Sequence, residues 1–153
     1  SRDPAAAARL AASLAADGHP ARVVADLASA VADADIVSCA TLAREPLIRG
    51  EWLAPGSHLD LIGGFTPAMR EADDACFAGA GVWVDTAEAL EKAGDLLHPI
   101  ASGVLAREDV RGTLADLCAA PAPVRDPAAR TVFKSVGTAL EDLAAAILVY
   151  ESD

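Results

Sequence analysis

Residues 59–71 read Leu59-Asp60-Leu61-Ile62-Gly63-Gly64-Phe65-Thr66-Pro67-Ala68-Met69-Arg70-Glu71, a short apolar run followed by two glycines and a proline. Such an apolar run is typical of a buried strand. Two glycines at its end present a backbone without Cβ atoms and permit positive φ, so a ligand can approach closely. In a parallel α/β sheet, ligands bind at the carboxyl ends of the strands. The segment therefore predicts a parallel sheet with a ligand site where this strand ends.

The composition limits the classes of protein to which the chain can belong. With 153 residues, of which 53% are hydrophobic and 23% charged, it has enough apolar material for one globular core. The net charge of -11 and the lack of a basic run argue against nucleic acid and anionic membrane partners. No apolar run reaches the roughly 18 residues of a membrane span and no basic leader opens the sequence, so we expect a cytoplasmic protein.

Cysteine and histidine spacing does not indicate a metal site. The three cysteines are far apart and lack a Cys-x-x-Cys spacing, so we interpret them as small buried hydrophobic residues: they are Cys39, Cys76 and Cys118. The three histidines also lack the spacing of metal ligands, and we expect surface or capping roles for them: they are His19, His58 and His98.

Alternating helix and strand patterns predict an α/β fold with a parallel sheet. The predicted strands are Ala21–Val24, Ile36–Ala40, Ser57–Ile62 and Val82–Asp85. The predicted helices are a first helix from Asp3-Pro4 to Gly18, then Asp26–Ala32, one turn at Gly50–Leu53, Glu71–Ala80, Thr86–Ala93, Gly112–Ala119 and a last helix over Ser135–Tyr150. The last helix can begin as late as Thr138, because Thr138 and Glu141 have the spacing of a capping box.

The Gly-Gly segment is accompanied by two further motifs, Glu-Pro-Leu-Ile-Arg-Gly-Glu-Trp-Leu-Ala-Pro-Gly-Ser-His over residues 45–58 and Val-Phe-Lys-Ser-Val-Gly over residues 132–137. Together they resemble the ornithine cyclodeaminase and mu-crystallin family, a group of nicotinamide-dependent enzymes and binders. The resemblance covers nearly the whole chain and is strongest over residues 34–150. It implies a Rossmann-like, doubly wound and mainly parallel sheet.

One part of a dinucleotide fold is missing from the sequence. Such a fold begins with a strand, a Gly-x-Gly-x-x-Gly motif and a helix, and the 153 residues contain no such motif. Since Ser1-Arg2-Asp3 resembles the end of the family's second strand, we expect the first strand and an amino-terminal substrate and dimer domain to lie outside this sequence. In the strand order 3-2-1-4-5-6, this would leave a gap between the strands at 21–24 and 36–40.

The resemblance also implies a division of the chain. We expect residues 1–120 to be part of an NAD(P)-binding domain, and residues 121–153 to be a linker and a helix that packs back on the absent domain. The parent protein is then expected to be a homodimer.

The resemblance places a nicotinamide nucleotide at the predicted sheet edge. The matching family positions that line it are Thr41, Ile62, Gly63, Gly64, Phe65, Met69 and Ser135. Ser1 and Arg2 stand at the end of the second strand, where an acidic residue would hold the ribose of NAD and an arginine can accommodate the phosphate of NADP. We therefore favour NADP as cofactor, with NAD as the alternative.

Phe65 departs from the pattern of the cyclodeaminases. They have an aspartate at this position, acting in proton transfer, and a lysine at the position of Met69. A phenyl ring cannot accept a proton, and a thioether cannot donate a charged hydrogen bond. The form Gly-Gly-Phe-Thr-Pro-x-Met-Arg-Glu instead resembles the family's bacterial imine reductases, which act on cyclic ketimines such as pyrroline-2-carboxylate. The catalytic residues themselves stay unassigned.

The implied function is the nucleotide-binding part of an NAD(P)H-dependent reductase that makes an amino acid such as proline. Two alternatives stay open: ornithine cyclodeaminase or alanine dehydrogenase chemistry with another proton donor, and a non-catalytic NADP-binding protein of the mu-crystallin type. The remaining polar residues receive simpler interpretations. Glu71, Asp73 and Asp74 are predicted to be an acidic helix start, and Lys134 is either solvated or in an ion contact beside Ser135.

Overall fold

The computed structural model describes residues 3–121 and 126–152. Its centre is a sheet of five strands: β1 Ile36–Cys39, β2 His58–Leu61, β3 Gly81–Val84, β4 Val110–Thr113 and β5 Thr131–Lys134. The spatial order is β1-β2-β5-β3-β4, and every neighbouring pair is parallel. The predicted α/β class with a mainly parallel sheet is therefore confirmed. The last strand in the sequence lies in the middle of the sheet.

The core lies on one face of this sheet. Side chains alternate between the faces of a strand, and alternate residues of the three central strands are buried together: Leu59, Leu61, Val82, Val84 and Val132. Phe77 and Leu96 cover them from the loops and helices on that side. The opposite face is more polar and partly exposed. There Ser38 donates a hydrogen bond to Asp60 across β1 and β2.

The described ranges contain six α-helices: α1 Pro4–Ala16, α2 Leu27–Ala32, α3 Ala89–Lys92, α4 Gly94–Ala101, α5 Leu114–Ala119 and α6 Ala139–Glu151. The predicted starts of the first two are confirmed, because carboxylates of Asp3 and Asp26 accept from the first-turn amides of Ala5 and Ala28. α6 follows Thr138, as the capping-box spacing predicted, and Glu141 accepts from the amide of Thr138.

Neither α1 nor α6 contains a buried residue. On α6, six large apolar or aromatic side chains are exposed: Leu140, Leu143, Ile147, Leu148, Val149 and Tyr150. The helix has the caps that let it form, but little within the described chain covers its apolar side chains.

The predicted strand at Ala21–Val24 is wrong. These residues have no regular structure, since within residues 3–121 and 126–152 no segment forms a ladder with them. β1 is consequently an edge strand with β2 as its neighbour. The expected gap in a sheet that included residues 21–24 does not arise.

The predicted helix at Glu71–Ala80 is also wrong, apart from a 3-10 turn at Asp74–Cys76. The main chain at its start forms hydrogen bonds with distant residues. The carbonyl of Glu71 accepts from the amides of Leu47 and Ile48, and the amides of Glu71 and Ala72 donate to Asp95. A helix that starts at Glu71 would need this carbonyl for its own ladder, whereas its first-turn amides need a partner outside the helix in any case. Long-range contacts therefore replace helical ones.

Other boundaries differ from those expected. The helix predicted over Thr86–Ala93 is shorter, because α3 begins only at Ala89. α4 and β4 were not predicted from the sequence. Gly112 and Thr113 belong to β4 rather than to a helix, and Thr113 caps α5 through Asp116. Of the linker expected to begin at residue 121, residues 122–125 lie outside the described residues.

Candidate functional site

Four parallel strands end side by side at the carboxyl edge of the sheet. They are β1, β2, β5 and β3, ending at Cys39, Leu61, Lys134 and Val84. The loops after the first three of these strands contain the described residues that the sequence singled out: Thr41, Ile62, Gly63, Gly64, Phe65, Met69 and Ser135. Ser1 and Arg2 lie outside the described residues. The sheet thus brings three separate parts of the sequence to one edge.

Thr41 and Gly63 lie against each other at this edge. A Cβ atom on Gly63 would overlap the main-chain nitrogen and oxygen of Thr41 and would lie 2.6 Å from Oε1 of Glu71. A Cβ on Gly64 would lie 2.9 Å from Oδ2 of Asp95. Neither glycine has a positive φ. The reason we gave for these glycines is therefore corrected: contacts within the protein already exclude larger side chains here.

Glu71 is fully buried and holds both loops. Its Oε1 accepts from the amide of Thr41 at 2.6 Å. Its Oε2 accepts from the amides of Gly63 at 2.9 Å and Gly64 at 3.3 Å. This role was not predicted from the sequence, because three acidic residues close together are typical of a helix start.

The other two acidic residues of the triplet have separate structural roles. Asp73 accepts from the amide of Gly50 at 2.9 Å, and Asp74 forms an ion pair with Arg70. The three carboxylates therefore act at three different places and do not form the predicted helix start.

A buried ion pair lies next to the Glu71 carboxylate. Nζ of Lys134 is 3.5 Å from Oδ2 of Asp95, and both side chains are 0% exposed. Burial lowers the pKa of Lys134 and raises the pKa of Asp95, and their mutual attraction opposes both shifts. Nζ also donates to the carbonyl of Leu61 at 3.0 Å. Of the two interpretations of Lys134, the ion contact is right and the solvated lysine is wrong.

Asp85 organises the loop after β5. Its Oδ2 accepts from the hydroxyl of Ser135 at 2.9 Å and from the amides of Val136 and Gly137 at 2.7 Å each. Oδ1 accepts from the amide of Thr86 at 2.7 Å. These bonds occupy the residues before Thr138, so the last helix begins after Thr138 and not at Ser135.

The side chains that this edge presents to solvent are apolar. Ile62 is 42% exposed and Phe65 is 48% exposed, while Met69 is half-buried behind Gly64. By contrast, the four titratable side chains described above are buried and engaged: Glu71, Asp85, Asp95 and Lys134. The described part of the edge presents apolar side chains to solvent, and its charged groups serve to fix the loops.

The cysteines and histidines differ in burial and do not form a common site. Cys39 and Cys76 are buried as predicted, but Cys118 is exposed because it lies on the outer side of α5. Nδ1 of His58 is 2.7 Å from the hydroxyl of Thr131. In the described ranges no three His, Cys, Asp or Glu side chains are grouped as metal ligands would be. No helix there is long and apolar enough to cross a membrane.

The order of the parallel strands and the loops at their carboxyl ends define a Rossmann-like α/β fold, as the solved structures with the same fold indicate. Residues 1–153 match the model of the ornithine cyclodeaminase/mu-crystallin family, and the chain belongs to that family.

Individual relatives agree with this assignment. A delta(1)-pyrroline-2-carboxylate reductase of Paracoccus denitrificans is 51% identical over 122 residues, which are 78% of this chain and 39% of that protein. The ketimine reductase mu-crystallin of Mus musculus is 39% identical over 132 residues, which are 86% of this chain and 40% of that protein. The chain thus spans about two fifths of the length of these relatives.

A solved structure with the same fold is the delta(1)-pyrroline-2-carboxylate reductase of Thermococcus litoralis, in complex with NADH and L-proline. It superposes with a TM-score of 0.91 at 30% identity, over 97% of this chain and 47% of that one. The arrangement of strands and edge loops described above is therefore shared with an enzyme whose complex contains a nicotinamide nucleotide.

Proposed function

We propose that this chain is the nucleotide-binding part of an NAD(P)H-dependent reductase of cyclic imino acids such as pyrroline-2-carboxylate. The observation that carries this proposal is the carboxyl edge, where Thr41, Gly63 and Ser135 come together and Phe65 is exposed in place of an acid. Relatives named as pyrroline-2-carboxylate and ketimine reductases support the substrate class.

The residues of the edge fit a nicotinamide nucleotide. Exposed Ile62 and Phe65 offer apolar surface to a planar ring, and the loop backbones at Thr41 and Gly63 are held rigidly beside them. When bound, the cofactor supplies the hydride that reduces the imine carbon. The role of this chain is to hold and orient the nucleotide and to exclude water from one side of it. The imine nitrogen gains a proton from a donor outside the described edge.

We further propose that NADP is the cofactor, with NAD as the alternative. The argument is Arg2, since a guanidinium binds a phosphate through charge-assisted hydrogen bonds. The Thermococcus litoralis relative is in complex with NADH, so the comparison must include both nucleotides. Titration of the full-length protein with NADPH and NADH should give tighter binding of NADPH. In an Arg2→Ala variant this preference should fall by about tenfold or more. Equal affinities in both proteins would contradict the role of Arg2.

The reaction is tested on the full-length protein that contains these residues. Oxidation of NADPH is followed with pyrroline-2-carboxylate and piperideine-2-carboxylate, ammonia release with ornithine and NAD, and NAD reduction with alanine. Imine reduction without ammonia release from ornithine is the expected result. Ammonia release without imine reduction would favour a cyclodeaminase, and alanine oxidation alone would favour an alanine dehydrogenase. Nucleotide binding with no turnover of any of these would favour a non-catalytic protein.

A Phe65→Asp variant addresses the substitution itself. If the missing carboxylate limits ornithine deamination, this variant should gain some of that activity, because general acid–base assistance contributes about 10² to 10⁴ in rate. Phe65→Leu is the matched control, since it keeps the position apolar and changes only the size and shape of the side chain. A similar gain of deamination in both variants would contradict the argument.

Finally, we propose that α6 packs on another part of the longer protein, which we expect to be a homodimer in the cytoplasm. The support is the row of exposed apolar residues Leu140, Leu143 and Ile147, because a helix this apolar gains about 25 cal/mol for each Å² that it buries. A Leu143→Asp variant should lower the stability of the full-length protein and weaken the dimer in light scattering. Ala145→Asp on the same helix serves as the control for helix propensity and added charge.

A further inference from the structure

We propose that Glu71 is a positioning residue that holds the two loops of the nicotinamide site in register. This inference rests on the function proposed above and deepens it. It starts from the three main-chain hydrogen bonds that the buried Glu71 carboxylate accepts from Thr41, Gly63 and Gly64. The donors belong to loops after two different strands, β1 and β2, so one side chain joins segments that the sheet alone does not connect beyond Cys39 and Leu61.

The chemistry of a carboxylate suits this task. Both oxygens accept and neither donates, and hydrogen bonds to an ionised acceptor are stronger than neutral ones. A glutamine in the same place has one accepting oxygen, and its NH₂ group would face an amide that also donates. Glu71→Gln therefore keeps the size of the side chain but removes the acceptor for one loop.

The main chain that carries the Glu71 side chain is itself held by hydrogen bonds. Oδ1 of Asp95 accepts from the amides of Glu71 and Ala72 at 2.8 and 3.0 Å. Asp95 pairs in turn with Lys134, the last residue of β5. Ser135 follows directly, so the network reaches all three loops that contain predicted nucleotide residues. The geometry of these loops therefore depends on charged side chains that are themselves buried.

The hydrogen bonds of Glu71 fix the positions of two loops, whereas the sheet itself is stabilised by the apolar core. The apolar core under the sheet is formed by residues such as Leu59, Val82 and Val132, on the strands themselves. We therefore expect Glu71→Gln to leave the sheet folded and to displace the Thr41 and Gly63 loops. Only the binding of the part of the nucleotide that these loops contact should then be weakened.

The test compares ligands with and without nicotinamide on the full-length protein. Dissociation constants of NADPH and of 2′,5′-ADP are measured for wild type, for Glu71→Gln and for the matched control Glu51→Gln, whose side chain is 71% exposed. We expect Glu71→Gln to raise the dissociation constant of NADPH by about tenfold or more and that of 2′,5′-ADP by less than twofold. The control should change neither. Equal weakening of both ligands, or of neither, would overturn the inference.

A second measurement needs no variant and covers the case in which Glu71→Gln does not fold. Hydrogen exchange of the wild-type amides of Thr41, Gly63 and Gly64 should be slow before any nucleotide is added. Rapid exchange at these amides would show that Glu71 does not hold the two loops in place before the nucleotide binds. Failure of wild type to bind either NADPH or NADH would instead refute the proposed function, and this inference with it.

Discussion

Lys134 and Asp95 form an ion pair that is wholly buried, with Nζ and Oδ2 3.5 Å apart. The pair joins the end of the central strand β5 to α4, next to the carboxyl edge of the sheet. A buried charge without a partner is costly, so each of these two residues stabilises the other, together with the amides that donate to Asp95 and the carbonyl of Leu61 that accepts from Lys134. The pair also explains why the one lysine near the predicted cofactor residue Ser135 is not presented to solvent.

Removing one partner should be more damaging than removing both. Lys134→Met is expected to lower the free energy of unfolding by about 3 to 5 kcal/mol, because Asp95 then keeps an uncompensated charge. Adding Asp95→Asn should recover part of the loss, since asparagine can still accept from the amides of Glu71 and Ala72 through its oxygen. Urea unfolding of the wild type, both single variants and the double variant measures the coupling. Additive losses would show that the pair contributes nothing.

The deficit of Lys134→Met should depend on pH in a defined direction. Burial raises the folded-state pKa of Asp95 above its ordinary 3.8, and the lysine that opposes this shift is absent in the variant. Between the two pKa values the folded state binds more protons than the unfolded state, so its stability falls as the pH rises. The deficit relative to wild type is expected to be smallest near about pH 4 and to grow toward neutral pH. The double variant with Asp95→Asn should not show this growth.

Gly63→Ala tests the close contact with Thr41. The added methyl group would overlap the main chain of Thr41, so we expect a loss of about 3 kcal/mol from overpacking. Gly18→Ala is a useful comparison, because Gly18 has open space around it but a φ of +86°. It should lose only about 1 kcal/mol from backbone strain. An equal loss at both positions in thermal or urea unfolding would contradict the packing argument.

Asp85 should contribute more than Ser135 to the stability of the loop after β5. Asp85→Ala leaves the amides of Val136 and Gly137 without their acceptor, and we expect a loss of about 3 kcal/mol. Ser135→Ala removes a single hydroxyl bond to the same carboxylate and should cost about 1 kcal/mol. Unfolding curves of both variants give the comparison, and titration with NADPH shows whether nucleotide binding follows the same order. A larger loss for Ser135→Ala would reverse this assignment.

The buried thiol of Cys39 should react slowly. Burial, with lesser contributions from nearby carboxylates, raises the pKa of Cys39 to about 12, so only about 10⁻⁴ of it is thiolate at pH 8. Alkylation of the native protein with iodoacetamide, followed by peptide mass analysis, should therefore modify the exposed Cys118 well before Cys39. Labelling in urea provides the control, since both thiols are then accessible. Rapid native modification of Cys39 would indicate that the end of β1 opens.

Local signals in the sequence determined much of this fold. Apolar runs at residues 36–39 and 58–61 predicted two strands of the sheet, the pair Asp3-Pro4 predicted the start of α1, and the capping-box spacing of Thr138 gave the later of two possible starts for α6. These features depend on neighbouring residues, namely a side chain that caps the next turn or an alternation along one strand. For the same reason, the motif around Gly63 and Gly64 could be identified from sequence alone.

Only the tertiary structure decided what Glu71, Asp95 and Lys134 do. They are well separated in sequence: Glu71 was predicted to start a helix, Asp95 lay outside every predicted element, and Lys134 was expected to be either solvated or in an ion contact. Their roles arise because parallel strands bring distant loops to one edge, where burial makes an unpaired charge or amide costly and long-range hydrogen bonds outweigh helix propensity. The failure of Ala21–Val24 to form a strand has the same origin. A strand exists only where a partner completes its hydrogen bonds, and no local pattern encodes that partner.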